Sequence, residues 1–339
     1  MTEEGRTIYG FIQGDEPCRF GAVGIDGREV YTLTFEGISA LVSRLPLEGF
    51  ESMSKEALLR NLTAYQSVIE QVMNEHPVIP VKFGNLLEGD EAVIRILKQG
   101  KEPIVQSLKE MENTIELNVV ALWSDLNSVL GEIGQTEEIK ALKEKAGSKS
   151  EDEMLKMQIK TGKRVKALLD EKRESLKAEI MASLQHIAEK QCIHSLMDDS
   201  MILNVGFLIQ RENALRFEEI VQSLDLQYED RLTFRIIGPL PPYSFRTFAV
   251  KTADYVQLNN AREILQLKEE TSRLEIRDNY RQLTKKFHPD KFPGDRKAQK
   301  HFEKINQAYK LVNDYCQDDS CSFREKDIKS WVSVTTVGN

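Results

Sequence analysis

Residues 276–291 read IRDNYRQLTKKFHPDK, and the reading of this stretch decides whether the end of the chain is a folded module or a tail. Ser272 and Glu275 just upstream have the Ser-x-x-Glu spacing of a capping box, which starts a helix. Ile276, Tyr280, Leu283 and Phe287 then recur at steps of three and four, while Arg277, Arg281 and Lys285 recur at steps of four on the other side. One face is therefore oily and the other is a cationic stripe. His288-Pro289 ends the helix, because proline disfavours helical backbone in the residue before it. After the Pro/Gly loop in KFPGD (291–295), Phe302, Ile305, Tyr309 and Val312 repeat the pattern, so two apolar stripes can close as an antiparallel hairpin. The short segment AREILQL (261–267) offers Ile264, Leu265 and Leu267 as a third side of that core. The tripeptide His288-Pro289-Asp290 falls at the exposed tip.

The remainder has the composition of folded protein. Of 339 residues, 40% are hydrophobic and 29% charged, which is outside the range of disordered chains, and the length suggests two or three domains. The formal charge of −8 argues against a general nucleic-acid binder. It is uneven: residues 261–317 carry 13 Lys/Arg against 9 Asp/Glu, a net of +4, and the rest carries −12. No run has the ~20 apolar residues of a membrane helix. The N-terminus, MTEEGRTIYG, is acidic and polar where a secretory leader is basic and then apolar, so a cytoplasmic location is expected. Cys18, Cys192, Cys316 and Cys321 lack a Cys-x-x-Cys pair, and in a reducing compartment they read as free thiols without disulfides.

From residue 7 to 45 the pattern is strand-like, with Asp26-Gly27 as a hairpin signal and GISALVSRL (37–45) as a short helix. Leu58, Leu62, Tyr65, Ile69 and Val72 mark an amphipathic helix over 54–75, stopped by Pro77. VIPVKFGNLL reads as a buried strand, EAVIRILKQG as a helix ending at Gly100, and TIELNVVALW as another strand. Between 136 and 192 the residues Leu155, Ile159, Gly162, Val165, Leu169, Leu176, Ile180, Leu184 and Ile187 form one narrow apolar seam. That is a long helix or helical hairpin, broken near AGSKS (146–150) and interrupted by Lys172 and Arg173. It either packs on its own domain or forms a partner-binding coiled coil. Residues 201–250 return to strand, helix, strand, which matches half of a ferredoxin-like unit. The expected class is α+β: an N-terminal α+β domain (1–125), central helices with a second α+β half (126–250), an all-α hairpin (258–318) and a tail (319–339).

The hairpin, with its tripeptide, Tyr280, basic helix and Ala308-Tyr309, resembles the J domain of the DnaJ/Hsp40 co-chaperones over residues 261–317. The resemblance implies docking on an Hsp70 ATPase of the DnaK type. Arg277, Arg281, Lys285 and Lys286 would steer toward an acidic surface, and His288, Pro289 and Asp290 would trigger hydrolysis in the partner. The chain departs from general-purpose members: it has no Gly/Phe-rich linker and too few cysteines for their zinc motifs. Any client must then be chosen by the rest of the chain.

Three further segments, YGFI (9–12), PVIPVKFG (77–84) and GPLPPYSF (238–245), resemble the gas vesicle protein L/F family in order and spacing. They single out Tyr9, Gly10, Pro77, Pro80, Phe83, Gly84, Gly238, Pro239, Pro241, Pro242, Tyr243 and Phe245. AYQSVIE fits too, although many members place His where this chain has Tyr65. The prolines suit scaffolding: they restrict a strand entry at 77–80 and stiffen an extended edge at 239–242. These segments are either core-terminating loops or a rigid surface for a partner. The resemblance implies an accessory protein of gas vesicle assembly that binds the hydrophobic shell protein or other accessory proteins.

No enzyme is indicated. KTGKR (160–164) lacks the first glycine and the hydroxyl of a phosphate-binding loop, and Gly-x-Ser-x-Gly and His-Glu-x-x-His are absent. His186, Cys192 and His194 lack a fourth ligand for a metal, so no metal or cofactor is expected. Together the two resemblances imply a protein that holds a vesicle component and recruits an Hsp70 to it, with no role for nucleic acid or membrane. The rival is a minor structural component of the vesicle whose hairpin is only a docking module.

Overall fold

The computed structural model describes residues 4–47, 50, 53–144, 151–291 and 295–337. They fall into two compact units, one of Met1–Val68, Val81–Gln106 and Phe248–Thr336, the other of Ile69–Pro80, Ser107–Thr247 and Val337–Asn339. In chain order the elements begin with β1 Glu4–Gln13, β2 Arg19–Gly21, β3 Val30–Phe35, β4 Ile38–Pro46, α1 Lys55–Val72, β5 Val78–Pro80 and α2 Gly89–Glu110. There follow β6 Thr114–Trp123, α3 Leu126–Gly134, α4 Glu137–Glu144, α5 Glu151–Leu184, β7 Lys190–Ile193, β8 Met201–Gln210, α6 Ala214–Gln227 and β9 Leu232–Leu240. The last are β10 Thr247–Thr252, α7 Tyr255–Ile264, β11 Glu270–Ser272, α8 Arg273–Lys286, α9 Arg296–Tyr315, β12 Ser320–Ser322, α10 Glu325–Ser330 and β13 Val332–Val337.

In the first unit the strands run β2-β3-β4-β1, antiparallel throughout. Asp26 and Gly27 turn the chain between β2 and β3 with φ of 53° and 67°, as the hairpin signal requires. Residues 38–46 are strand β4, not the expected helix. Ile38, Ala40, Leu41 and Val42 are all buried because β4 lies between β1 and β3, and a strand covered on both faces loses the alternation that distinguishes it from a helix. Gly37, at φ 89°, makes the tight return from β3. Helix α2 runs past Gly100 and through Pro103. Gly100 is a contact residue, not an end: a Cβ there would stand 2.8 Å from Val334 Cγ1.

The hairpin of α8 and α9 closes with α7 around Leu258, Ala261, Leu265, Ile276, Leu283, Ile305, Ala308 and Val312. Ile264 does not join them; it is 37% exposed, since α7 starts earlier than expected and turns Ala261 inward. The residues after α9 do not trail away. Phe323 and Ile328 enter the same core, β12 pairs with β11, and β13 pairs with β10, the strand that precedes α7. Cys316 and Cys321 form a disulfide, contrary to the expectation of free thiols. The β11–β12 ladder folds Cys321 back onto the C-cap of α9, which spacing along the chain does not show.

The second unit is an antiparallel sheet in the order β7-β8-β6-β9. Its strands and major helices, β6, α5, β7, β8, α6 and β9, make a whole ferredoxin-like βαββαβ unit rather than half of one. Phe207 on β8 and Phe217 on α6 meet with ring centroids 5.3 Å apart. The apolar seam divides: Leu169, Leu176, Ile180 and Leu184 are buried in this unit, whereas Leu155 and Ile159 are exposed. Arg173 does not break the seam, because Asp170 at 2.5 Å and the Met201 carbonyl at 2.9 Å neutralise it where it is buried. The helix ends at Leu184, and β7 follows inside the span read as helical. The expected break at 146–150 lies outside the described residues, as does most of the loop at 292–294.

Candidate functional site

The tip of the J-like hairpin is built from local forces. Ser272 Oγ accepts the Glu275 amide at 3.2 Å and Glu275 Oε2 accepts the Ser272 amide at 2.9 Å; the Ser272 amide, with the Thr271 and Ser272 hydroxyls, holds the Glu275 carboxyl below its usual range. The acid opens α8 and Lys285 and Lys286 close it, each favourable to the helix dipole. Arg277, Arg281, Lys285 and Lys286 are all exposed. Among the described residues none of the four is held in an ion pair, so the stripe is available to an acidic partner. Phe287 caps the helix through its amide to the Leu283 carbonyl, and Pro289–Lys291 form one 3-10 turn.

That turn gathers His288, Pro289 and Asp290. The Asp290 amide lies 3.3 Å from His288 Nδ1 and donates to it. The Phe302 ring meets the imidazole edge-on at 5.6 Å, and the His288 side chain is 47% exposed. Behind the tip, Tyr280 stacks on Tyr309 at 3.9 Å and its hydroxyl donates to Asn306 at 2.9 Å. The tripeptide thus projects from a fixed base with its ring open to a partner. The Asp290 carboxylate stands 3.5 Å from His288 Nδ1, and both side chains are open to solvent.

Of the other singled-out residues, Tyr9, Gly10, Pro80, Pro241 and Pro242 are buried, Phe83, Tyr243 and Phe245 are half-buried, and Pro77, Gly84, Gly238 and Pro239 are exposed. In the first unit Tyr9 is fully buried, with its hydroxyl 2.7 Å from Ser43 Oγ and accepting the Ile25 amide at 3.1 Å; burial raises its pKa. Gly10 marks the β-bulge of β1. Phe83 packs on Tyr65 at 5.2 Å, and Gly84 turns with φ 93°. The sequence reading overlooked the centre of this arrangement. The Tyr65 hydroxyl reaches the Ile8 carbonyl and, at 2.9 Å, the Val81 carbonyl. Asn85 brackets Ile8 from both sides, accepting its amide at 2.7 Å and donating to its carbonyl at 2.8 Å. The signal was an asparagine directly after Phe83-Gly84.

In the second unit Pro77 and Pro80 flank and end β5. Gly238 adopts φ 141°, and a Cβ there would lie 2.8 Å from the Glu116 carbonyl. Gly238 and Pro239 belong to β9, an edge strand as proline demands. Pro241 and Pro242 instead begin a turn in which the Pro242 carbonyl accepts from Phe245 and Arg246 at 3.1 and 2.8 Å, so the extended edge is shorter than expected. Tyr243, whose pKa burial raises, precedes Ser244, and Glu116 clamps Ser244 from within the sheet. Its two carboxylate oxygens accept the Ser244 amide at 2.8 Å and hydroxyl at 2.6 Å. Burial raises the Glu116 pKa. His194 Nε2 lies 3.3 Å from the same hydroxyl, but the carboxylate holds the serine and not the imidazole, so this is a lock on a turn and not a nucleophile relay. The signal was a glutamate inside the apolar strand TIELNVVALW.

The described residues thus form a ferredoxin-like sheet unit and a strand-and-helix unit that carries an exposed J-type tip. The family model for gas vesicle synthesis protein GvpL/GvpF matches residues 5–247, and the chain belongs to that family. The DnaJ domain model matches residues 260–317. Gas vesicle protein F of Streptomyces sp. is 26% identical over 245 residues, 70% of this chain and 98% of that protein. The crystal structure of the gas vesicle protein GvpF from Anabaena sp. PCC7120 superposes with a TM-score of 0.61 at 25% identity, covering 71% of this chain and 97% of that one. Over the C-terminal module, the chaperone protein DnaJ of Anaplasma marginale is 44% identical across 55 residues, 16% of this chain and 14% of that protein. Among the described residues, no helix is long and apolar enough to cross a membrane.

Proposed function

We propose that this chain is a cytoplasmic assembly protein of gas vesicles that holds a vesicle component, shell or accessory, through its GvpL/GvpF part and recruits an Hsp70 through its DnaJ domain. Arg277, Arg281, Lys285 and Lys286 attract the acidic face of the chaperone, and His288, Pro289 and Asp290 stimulate its ATPase; the chain itself catalyses nothing. The observation that carries this reading is the open His288 ring beside an unpaired cationic stripe, in a chain whose larger part belongs to a vesicle family. Hydrophobic shell subunits aggregate when unassembled, which gives a chaperone a task at that place. β10 before the module and β13 after it pair with each other, so the two ends of the module meet.

Single-turnover ATP hydrolysis by the host Hsp70 tests the proposal, with the native chain and with His288→Gln. Stimulation by the native chain that is lost in the variant, together with lost vesicle assembly in cells, is the expected result. Absent stimulation by either chain would reduce the module to a docking element and leave a structural role in the vesicle.

A further inference from the structure

A second charged site lies on the sheet of the first unit, away from the J-type tip in sequence. Arg19 on β2, Arg28 in the turn before β3 and Arg44 on β4 line an open cleft of about 470 Å³, with Tyr31, Glu4 and Glu29. The sheet register places them: Arg19 stands opposite Tyr31, and Tyr31 opposite Val42, two residues before Arg44. The arginines are not equally satisfied. Glu29 takes Arg19 at 2.7 Å, and on β1 the neighbouring Arg6 is taken by Asp90 at 2.6 Å. Among the described residues, Arg28 and Arg44 share a single carboxylate, Glu4, at 3.9 and 3.8 Å. Charge-assisted hydrogen bonds close at about 2.7–2.9 Å, so Glu4 lies between two guanidinium forks without engaging either.

The Tyr31 hydroxyl in the same cleft is buried and has no hydrogen-bond partner among the described residues. The Tyr31 oxygen stands beside the Arg44 guanidinium and is the main influence raising the Arg44 pKa. Buried polar atoms are nearly always satisfied, and here an orphan hydroxyl and two under-used guanidinium forks line one open space. The group already standing in that space, loosely, is a carboxylate.

We propose that the Arg28–Arg44 cleft is a docking site for a carboxylate of an acidic partner polypeptide, which displaces Glu4 and is held by both forks, with the Tyr31 hydroxyl donating to it. Glu4 is then an internal competitor. A surface made only of mutually satisfied ion pairs would weaken when Glu4 is neutralised; a docking site would bind more tightly.

The test is fluorescence anisotropy of a labelled hexaglutamate peptide with the full chain at low salt. Glu4→Gln is expected to tighten binding about threefold, and the Arg28→Gln/Arg44→Gln pair to weaken it about tenfold. Arg28→Lys/Arg44→Lys, which keeps the charge and loses the forks, should fall between them. These side chains are largely exposed, and circular dichroism confirms that each variant is folded. No binding by the native chain, equal binding by the Arg pair variant, or weaker binding by Glu4→Gln would each overturn the proposal. Inorganic phosphate competing as well as free glutamate at equal concentration would overturn the carboxylate assignment in favour of a small-anion site.

Discussion

Replacing Tyr65 by Phe removes one oxygen from the centre of the first unit and nothing else. Tyr65 is 2% exposed, and its ring remains to pack on Tyr9 and Phe83, so no cavity opens. The Ile8 carbonyl keeps its bond from Asn85 at 2.8 Å, whereas the Val81 carbonyl loses the hydroxyl 2.9 Å away. A buried acceptor deprived of its donor costs about 1–3 kcal/mol, so Tyr65→Phe is expected to destabilise the unit by about 2 kcal/mol. Tyr65→Ala, which also empties the ring space, should cost about 3–5 kcal/mol. Urea unfolding measures the loss as a lower midpoint with an unchanged slope. Because the chain has two units, amide hydrogen exchange over 4–13 and 81–87 assigns the loss to the right one. Tyr65→Phe within about 0.5 kcal/mol of the native chain, below the range for an orphaned acceptor, would refute the claim that this hydroxyl ties the two family segments together.

Gly238→Ala forces a side chain into a backbone at φ 141° and to 2.8 Å from the Glu116 carbonyl; strain of about 1–3 kcal/mol should appear as a lower thermal midpoint. Glu116, with its pKa raised by burial, contributes stability that is complete below its unfolded pKa and is lost as pH rises through the folded value. Glu116→Gln should therefore flatten the pH dependence of stability in that window, and an unchanged slope in urea titrations at stepped pH would count against it. Gly100→Val drives a side chain against Val334 and should speed hydrogen exchange in 332–337 while α8 and α9 stay protected. Reversing the stripe with Arg281→Glu should lower Hsp70 association most at low salt, a dependence read by stopped-flow at two ionic strengths.

The J-type hairpin was legible because its determinants are close in sequence: a capping box four residues long, stripes at steps of three and four, and a proline stop. The ferredoxin-like strand-helix-strand was half visible for the same reason, and its other half was hidden because a 34-residue helix separates β6 from β7. Tyr65 and Asn85 could be named only as a departure from a pattern or not at all, since their partner Ile8 lies 57 and 77 residues away. The sequence alone determined the two amphipathic helices of the hairpin, the proline stop between them, and that a cationic face ends in His288-Pro289-Asp290. Tertiary structure decided that 38–46 is a strand, that Gly100 is a contact instead of an end, that Cys316 meets Cys321, and that the last strand returns to β10. Each of these depends on which distant segment supplies the neighbour: hydrogen bonds and burial in a sheet are completed between strands, whereas a helix completes its own within four residues.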